Sequence, residues 1–248
     1  MKDGEKIAVI SDIHGNKWAL KEVLNDIKER NIDTIFNLGD SLYGPLDPSS
    51  TYDILKKHKI INISGNEDRI ILENVKKNTD DKTLKYILNV IDDVIIGWIG
   101  SLDKTKIVDE FFLCHGTPNK DDVYLFEKVT EQGFFVKNND ELYNEIKGIS
   151  QKIICCGHSH KFNLVNLKSG QFVVNPGSVG LQSYNDDVPL YHKVETGSNK
   201  ASYCMIKKEK NQYVFDKVLV SYDWKSASKY ALKNNHKEWA KWLISGKV

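Results

Sequence analysis

Five short apolar runs each end in a cluster of Asp, Asn, Gly and His, and this recurrence constrains the fold more than any other property of the chain. Lys6 to Ile10 leads into Ser11-Asp12-Ile13-His14-Gly15-Asn16, Thr34 to Leu38 into Gly39-Asp40, and Ile60 to Ser64 into Gly65-Asn66. Phe111 to Leu113 precedes His115, and Ile153 to Cys156 precedes Gly157-His158-Ser159-His160. From Lys17 the apolar residues Trp18, Leu20, Val23, Leu24 and Ile27 recur at helical spacing, and Ser50 to Lys57 reads as a second helix. Strands alternating with helices predict parallel βαβ units, hence an α/β fold. In such sheets ligands bind beyond the carboxyl ends of the strands, which is where every polar cluster falls.

Residues 70–100 read as helical, with Leu84, Ile87, Leu88 and Ile91 on one face, and 119–150 as a variable loop followed by a helix near Asp140 to Ile149. Strand patterns return at Glu110 to Leu113, Lys152 to Cys156, Phe162 to Leu167, Gln171 to Val174, Ser202 to Lys207 and Tyr213 to Val220. The hairpin Leu167-Lys168-Ser169-Gly170-Gln171 implies a second, more antiparallel sheet. Two short helices close the chain, and Trp239 and Trp242 are assigned to packing. No Pro/Gly/Ser-rich linker interrupts the pattern, so residues 1–248 are read as one domain.

The net charge of +1, from 35 basic and 34 acidic residues, removes the electrostatic argument for a nucleic-acid or membrane-surface partner and favours a small substrate. The charged start Met1-Lys2-Asp3-Gly4-Glu5-Lys6 does not resemble a secretory signal, and no apolar run is long enough to span a bilayer, so a cytoplasmic location is expected. Cys114, Cys155, Cys156 and Cys204 show neither paired spacing nor the density of a disulfide scaffold, and are read as reduced structural thiols.

Taken singly, each polar cluster has an ordinary reading as an Asx-turn, a strand terminus or a satisfied surface group. Their joint placement points instead to one rim that gathers oxygen and imidazole donors. Two divalent ions about 3.5 to 4 Å apart need a bridging carboxylate, with neutral imidazoles and amide or carboxylate oxygens completing each shell. Asp40 is assigned as the bridge. In His158-Ser159-His160 the alternation of an extended segment turns both imidazoles to one side, one for each ion. A structural zinc site would be richer in Cys.

The set Asp12-x-His14, Gly39-Asp40-(x)3-Gly44, Gly65-Asn66-x-Asp68, His115-Gly116 and Gly157-His158-x-His160 resembles the calcineurin-like metallophosphoesterase superfamily in order, spacing and strand context. Ile10 to Asn16 and Asn175-Pro176-Gly177-Ser178-Val179-Gly180 are similar to its compact prokaryotic YfcE-like branch of small phosphodiesterases and phosphatases. The resemblance implies a four-layer α-β-β-α sandwich of two mixed sheets flanked by helices. It also implies two divalent metal ions (Mn, Fe, Zn or Ni), one held by Asp12, His14, Asp40 and His160, the other by Asp40, Asn66, His115 and His158. Water activated by the two ions would then cleave a phosphodiester, phosphomonoester or phosphoanhydride bond of a small phosphorylated substrate, without a covalent enzyme intermediate. Asn175 and Ser178 would support the ligands from behind.

One position departs from the commonest pattern of that family. Where many relatives place a His held by the following acid as proton donor, this chain has Glu67 before Asp68. Beside two cations Glu67 is expected to be ionised and a poor acid, which favours substrates whose leaving group departs unprotonated; the alternative is a glutamate that faces solvent or binds a Lys. Arg69 is read either as a phosphate clamp or as a surface residue at a helix start. His58, His192 and His236 lack partner ligands and are read as surface groups. The alternative to an enzyme is a non-catalytic metal-binding scaffold of the same fold acting in protein interaction, as the retromer subunit of that superfamily does.

Overall fold

The computed structural model describes residues 1–248 and stacks two five-stranded mixed sheets, with eight helices. β1 (Lys6–Ile10), β2 (Thr34–Asn37) and β3 (Ile60–Asn62) run parallel, with α1 (Lys17–Glu29) and α2 (Pro48–Lys57) as their crossovers. Asn16 accepts a hydrogen bond from Ala19 N, and Asp47 from Ser50 N, so each crossover begins at a side chain that satisfies a free amide. α2 starts two residues before the predicted Ser50 because proline in a first helical turn forfeits no hydrogen bond.

Residues 70–100 are helical as expected, but in three pieces: α3 (Asn66–Asn74), α4 (Lys82–Val90) and α5 (Asp93–Gly100). Asp81 and Asp92 impose the new starts by accepting from Leu84 N and Ile95 N. The three helices bury Ile71, Leu84, Ile87 and Ile95 in a small core of their own.

β4 (Thr105–Val108) and β5 (Phe111–Cys114) open the second sheet as an antiparallel pair. The expected loop at 119–150 contains an unpredicted hairpin, β6 (Glu127–Thr130) with β7 (Gly133–Val136), before α6 (Asn139–Glu145), which stops short of Ile149. Four-residue strands carry too few alternating positions to show a period of two. β8 (Ile153–Cys155), β9 (Phe162–Asn166) and β10 (Phe172–Pro176) complete the second sheet in the order β4-β5-β8-β10-β9, with β5, β8 and β10 parallel. A second unpredicted hairpin pairs β11 (Ser183–Asp186) with β12 (His192–Glu195). β13 (Ala201–Glu209) and β14 (Gln212–Val220) return to the first sheet, giving β14-β13-β1-β2-β3, and α7 (Trp224–Lys233) and α8 (Lys237–Ser245) end the chain.

Three apolar layers hold these elements together. Between the sheets lie Val9, Phe36, Phe111, Ile153, Val174 and Cys204, with Phe36 and Phe111 meeting edge to face at a centroid distance of 5.2 Å. On the outer face of the first sheet, Leu20, Val23, Tyr203, Ala227 and Leu243 pack helices on strands. On the outer face of the second, Phe112, Ile154 and Val173 meet Leu142 and Ile146 of the α6 region. Burying each large side chain contributes about 1.5 to 3 kcal/mol, so the pattern that buries both faces of both sheets selects the four-layer stack. All four cysteines are buried and unpaired. No helix is long and apolar enough to cross a membrane.

Candidate metal centre

The carboxyl ends of β1, β2, β5 and β8 meet the loop after β3 at one rim, and the turns there are sharp. Asp12, His14, Asp40, His158 and His160 all adopt positive φ, between 51° and 68°, a region that residues with a Cβ enter at a cost. Backbone bonds between the loops hold them: Asp12 N donates to Gly39 O, His14 N to Asp40 O, and Gly157 N to His115 O. Gly65 is required by close approach, since a Cβ there would lie 2.1 Å from Asp40 Oδ1.

Six of the seven expected ligands fall into two groups, Asp12 with His14 and His160, and Asp40 with His115 and His158, each with donor atoms within 4.8 Å of one another. A third group joins His14, Asp40 and Glu67. His14 Nε2 lies 3.1 Å from His160 Nε2, His160 Nε2 lies 3.4 Å from Asp12 Oδ1, and His115 Nε2 lies 3.1 Å from Asp40 Oδ2. Asn66, the seventh, sits at the first position of α3 beside Gly65.

Three imidazoles are oriented by backbone carbonyls. Nδ1 of His14 faces Tyr43 O at 2.9 Å, that of His115 faces Leu38 O at 2.8 Å, and that of His160 faces Leu181 O at 2.6 Å. A proton on each Nδ1 satisfies the carbonyl and leaves the Nε2 lone pair for a cation. His158 has no such bond; its ring stacks on Tyr124 at 4.6 Å, and its amide donates to Asp12 Oδ2.

The electrostatics call for positive charge. Burial pushes the Asp12 carboxyl up, yet His160, His115 and His14 hold it below the usual carboxylate range. Burial pulls His14 down, but Glu67, Asp40 and Asp12 raise it to about 9; His115 is likewise raised to about 10 by Asp40 and Asp12. At this rim four of the chain's eight buried polar side-chain atoms without a partner lie together: Asp12 Oδ1, Asn66 Oδ1, Glu67 Oε2 and His115 Nε2. Unsatisfied buried donors and acceptors are costly, and here they cluster where nitrogen and oxygen ligands converge, so the donor set fits divalent cations of borderline hardness.

Glu67 pairs with no lysine, and its side chain is only partly exposed, at 26%. Its Oε2 lies 3.3 Å from His14 Nδ1, and burial pushes the carboxyl up to about 7 against the pull of His14. Asp68 does not point into the cavity. It is fully buried and its carboxylate accepts from the amides of Asp40, Gly65 and Ser41, tying the β2 and β3 loops together. Arg69 is neither a free clamp nor a plain surface residue: Nε and Nη2 grip Asp121 at 2.8 and 2.9 Å, and Nη1 reaches Glu73. Asn175 Nδ2 donates to Gly157 O, and Ser178 Oγ donates to Asp12 O, so both brace loops that carry ligand candidates.

Two of the three histidines read as surface groups are not exposed. His192 is 5% exposed and meets the Tyr124 hydroxyl through Nε2 at 2.8 Å, because the unpredicted β11–β12 hairpin folds it inward. His236 is half-buried and contacts Thr83 Oγ1, whereas His58 is exposed. Tyr124 and Tyr184 had no signal in the sequence; their hydroxyls meet at 2.8 Å, and Tyr184 donates to the His158 carbonyl. Together they wall the histidine side of a cavity of about 850 Å³ that His14, Asp40, Asn66, His158 and His160 open into.

The family description of the calcineurin-like phosphoesterase superfamily domain matches residues 6–199. An uncharacterized protein of Methanocaldococcus jannaschii is 28% identical over 246 residues, covering 94% of each chain. A metallophosphoesterase from Sphaerobacter thermophilus shares the fold with a TM-score of 0.75 at 18% identity, covering 98% of this chain and 100% of that one.

Proposed function

Since the chain belongs to the calcineurin-like phosphoesterase superfamily, we propose that it hydrolyses a phosphoester or phosphoanhydride bond of a small substrate with two divalent metal ions. Asp12, His14, Asp40 and His160 would hold one ion, and Asp40, Asn66, His115 and His158 the other. One observation carries this reading: two separate groups of buried donors, with unsatisfied atoms among them, share a rim around Asp40. The ions supply Lewis acidity, a nucleophile near neutral pH and charge to stabilise the phosphoryl oxygens.

The chain's own residues do the rest. Leu38, Tyr43 and Leu181 fix three imidazoles through their carbonyls, which keeps Nε2 free. Asp68 holds the amide of Asp40, and Glu67 N donates to Asp40 Oδ1, leaving Oδ2 turned toward His115. Glu67, drawn to its ionised form by the cations, would not protonate a leaving group, which favours aryl esters and anhydrides over alkyl monoesters. Four buried unpaired thiols support a cytoplasmic setting.

The test is metal analysis with hydrolysis of bis-p-nitrophenyl phosphate in Mn2+. Two ions per chain are expected, and Asp40→Asn or His115→Ala should lower kcat by at least roughly a hundredfold, since loss of even a supporting partner costs tenfold or more. Bound metal without turnover on mono-, di- or pyrophosphate substrates would favour a non-catalytic scaffold.

A further inference from the structure

The family match ends at residue 199, and α7 and α8 lie beyond it. From α8 two side chains, Trp239 and Trp242, reach the wall of the metal cavity. They differ in burial. Trp242 is 8% exposed and belongs to the core beneath α1, whereas Trp239 is half-buried, with its ring centroid 6.2 Å from that of Trp242.

Trp239 is held in place beside the ligand candidates. Its indole lies edge-on to the His14 imidazole at a centroid distance of 5.8 Å. Gly44 leaves the room, since a Cβ there would meet Trp239 Cη2 and Cζ3 at 3.1 Å and His14 O at 2.7 Å. The start of α8 is pinned on two sides, by His236 Nε2 against Thr83 Oγ1 at 3.2 Å and by Asn234 Nδ2 donating to Pro45 O at 2.7 Å. A flexible tail would not fix an indole; this one is fixed.

The cavity is far larger than a phosphoryl group needs, and it is divided in chemistry. The ligand candidates lie at one part, while Trp239, Tyr43, Leu181, Val188 and Pro189 supply apolar and aromatic wall. Asp81, Thr83 and Asp186 also line the cavity and suit N–H and O–H donors, while Lys128 and Lys137, which line it too, suit acidic groups. A phosphoester with a long alkyl or highly charged leaving group has no use for a rigid indole beside His14. A flat π-system does.

We propose that Trp239, with Tyr43, forms a stacking subsite for a planar aromatic group carried by the phosphorylated substrate, either a nucleobase or a simple aryl ring. This rests on the phosphoesterase reading above, and the C-terminal helices thereby set specificity. Trp239 is a specificity residue and takes no part in bond cleavage.

The test compares wild-type, Trp239→Ala and Trp239→Phe proteins with Mn2+ bound. Calorimetric titration with adenosine 5′-monophosphate, phenyl phosphate and inorganic phosphate gives three Kd values for each. In Trp239→Ala the Kd for the aromatic ligands, taken relative to inorganic phosphate, should rise about tenfold, and Trp239→Phe should restore most of it. The kcat/KM ratio of p-nitrophenyl phosphate to pyrophosphate should fall by a similar factor, through KM. Tighter binding of the nucleotide than of phenyl phosphate assigns the subsite to a nucleobase; equal binding assigns it to an aryl ring. Ratios unmoved by Trp239→Ala overturn the proposal, because a residue that only packs α8 against His14 would weaken all ligands alike. The binding arm separates the two readings: aromatic preference lost in Trp239→Ala without any hydrolysis keeps the subsite and removes the enzyme, and hydrolysis without preference does the reverse.

Discussion

Glu127→Gln should stabilise the protein at pH 8 and change little at pH 5. Glu127 opens β6, is 2% exposed, accepts from Asn163 Nδ2 at 2.7 Å through Oε1, and has no partner for Oε2. Burial pushes its carboxyl from the ordinary 4.5 up to about 7, against the attraction of Lys161 and Lys137. The sign follows directly: the folded chain holds this proton more tightly than the unfolded one, so stability falls as pH rises from about 4.5 through about 7, and the loss is complete above that. A gap of this size costs about 3 kcal/mol at pH 8, since each tenfold change in proton affinity is about 1.4 kcal/mol. Glutamine keeps the shape and the acceptor for Asn163 and carries no charge. In a chain of this length the gain should raise Tm by roughly 6 to 12 °C at pH 8. Thermal unfolding followed by circular dichroism at pH 5, 6, 7 and 8, with saturating Mn2+ to keep the ligand set constant, measures it. A Tm difference that does not grow with pH, or a variant less stable at pH 8, would refute the reasoning.

Asp68→Asn replaces one of two acceptor oxygens that serve the amides of Asp40, Gly65 and Ser41 with a donor; hydrogen bonds to charged groups contribute about 1.5 to 3 kcal/mol, so Tm should fall by about 3 to 12 °C and half-maximal activation should need more Mn2+. An unchanged metal titration would show that this carboxylate does not position Asp40. Burial raises Asp26, but Arg30 and Tyr203 hold it below the ordinary carboxylate value, so its contribution is present above about pH 4 and is lost as pH falls through its folded pKa. Acid unfolding of Asp26→Asn should accordingly be shallower than that of the wild type, and superimposable curves would contradict this. Chelation with EDTA should lower Tm as well as abolish turnover, with both regained on adding Mn2+, because ligands that bind only the folded state stabilise it by mass action.

The parallel half of the fold was legible because each strand announces its own end: an apolar run stops at Asp or Gly, and the helix after it keeps a 3.6-residue period, as Leu20, Val23, Leu24 and Ile27 do in α1. The two hairpins were not legible. Their four-residue strands place Phe135 and Val136 in solvent and Glu127 and His192 inside, which inverts the usual correlation between polarity and exposure. The burial of His192 depends on Tyr124, a residue 68 positions away along the chain, and no local pattern records that pairing. For the same reason the wall of the cavity was invisible: Trp239 looks like any apolar residue of an amphipathic helix until the fold sets it beside His14.

The ligand rim is legible for a deeper reason, and its cost is not. Motif spacing shows which donors follow which strand, but five of those residues occupy left-handed backbone that costs roughly 1 to 2 kcal/mol for a side chain with a Cβ. A chain selected for stability alone would place glycine there, as it does at Gly15 and Gly39 nearby. Asp12, His14, Asp40, His158 and His160 keep their side chains because glycine offers no donor atom. Loop-to-loop bonds such as Val179 N to Ser11 O and Gly157 N to His115 O keep the turns in place, and Asp68, Asn175 and Ser178 add side-chain braces. Several strained turns together cost as much as a sizeable part of the net stability of an ordinary domain, about 5 to 15 kcal/mol. Five of the ten non-glycine residues with positive φ are ligand candidates of this one rim, and strained donors held by loop-to-loop braces are the arrangement a preorganised cation site requires.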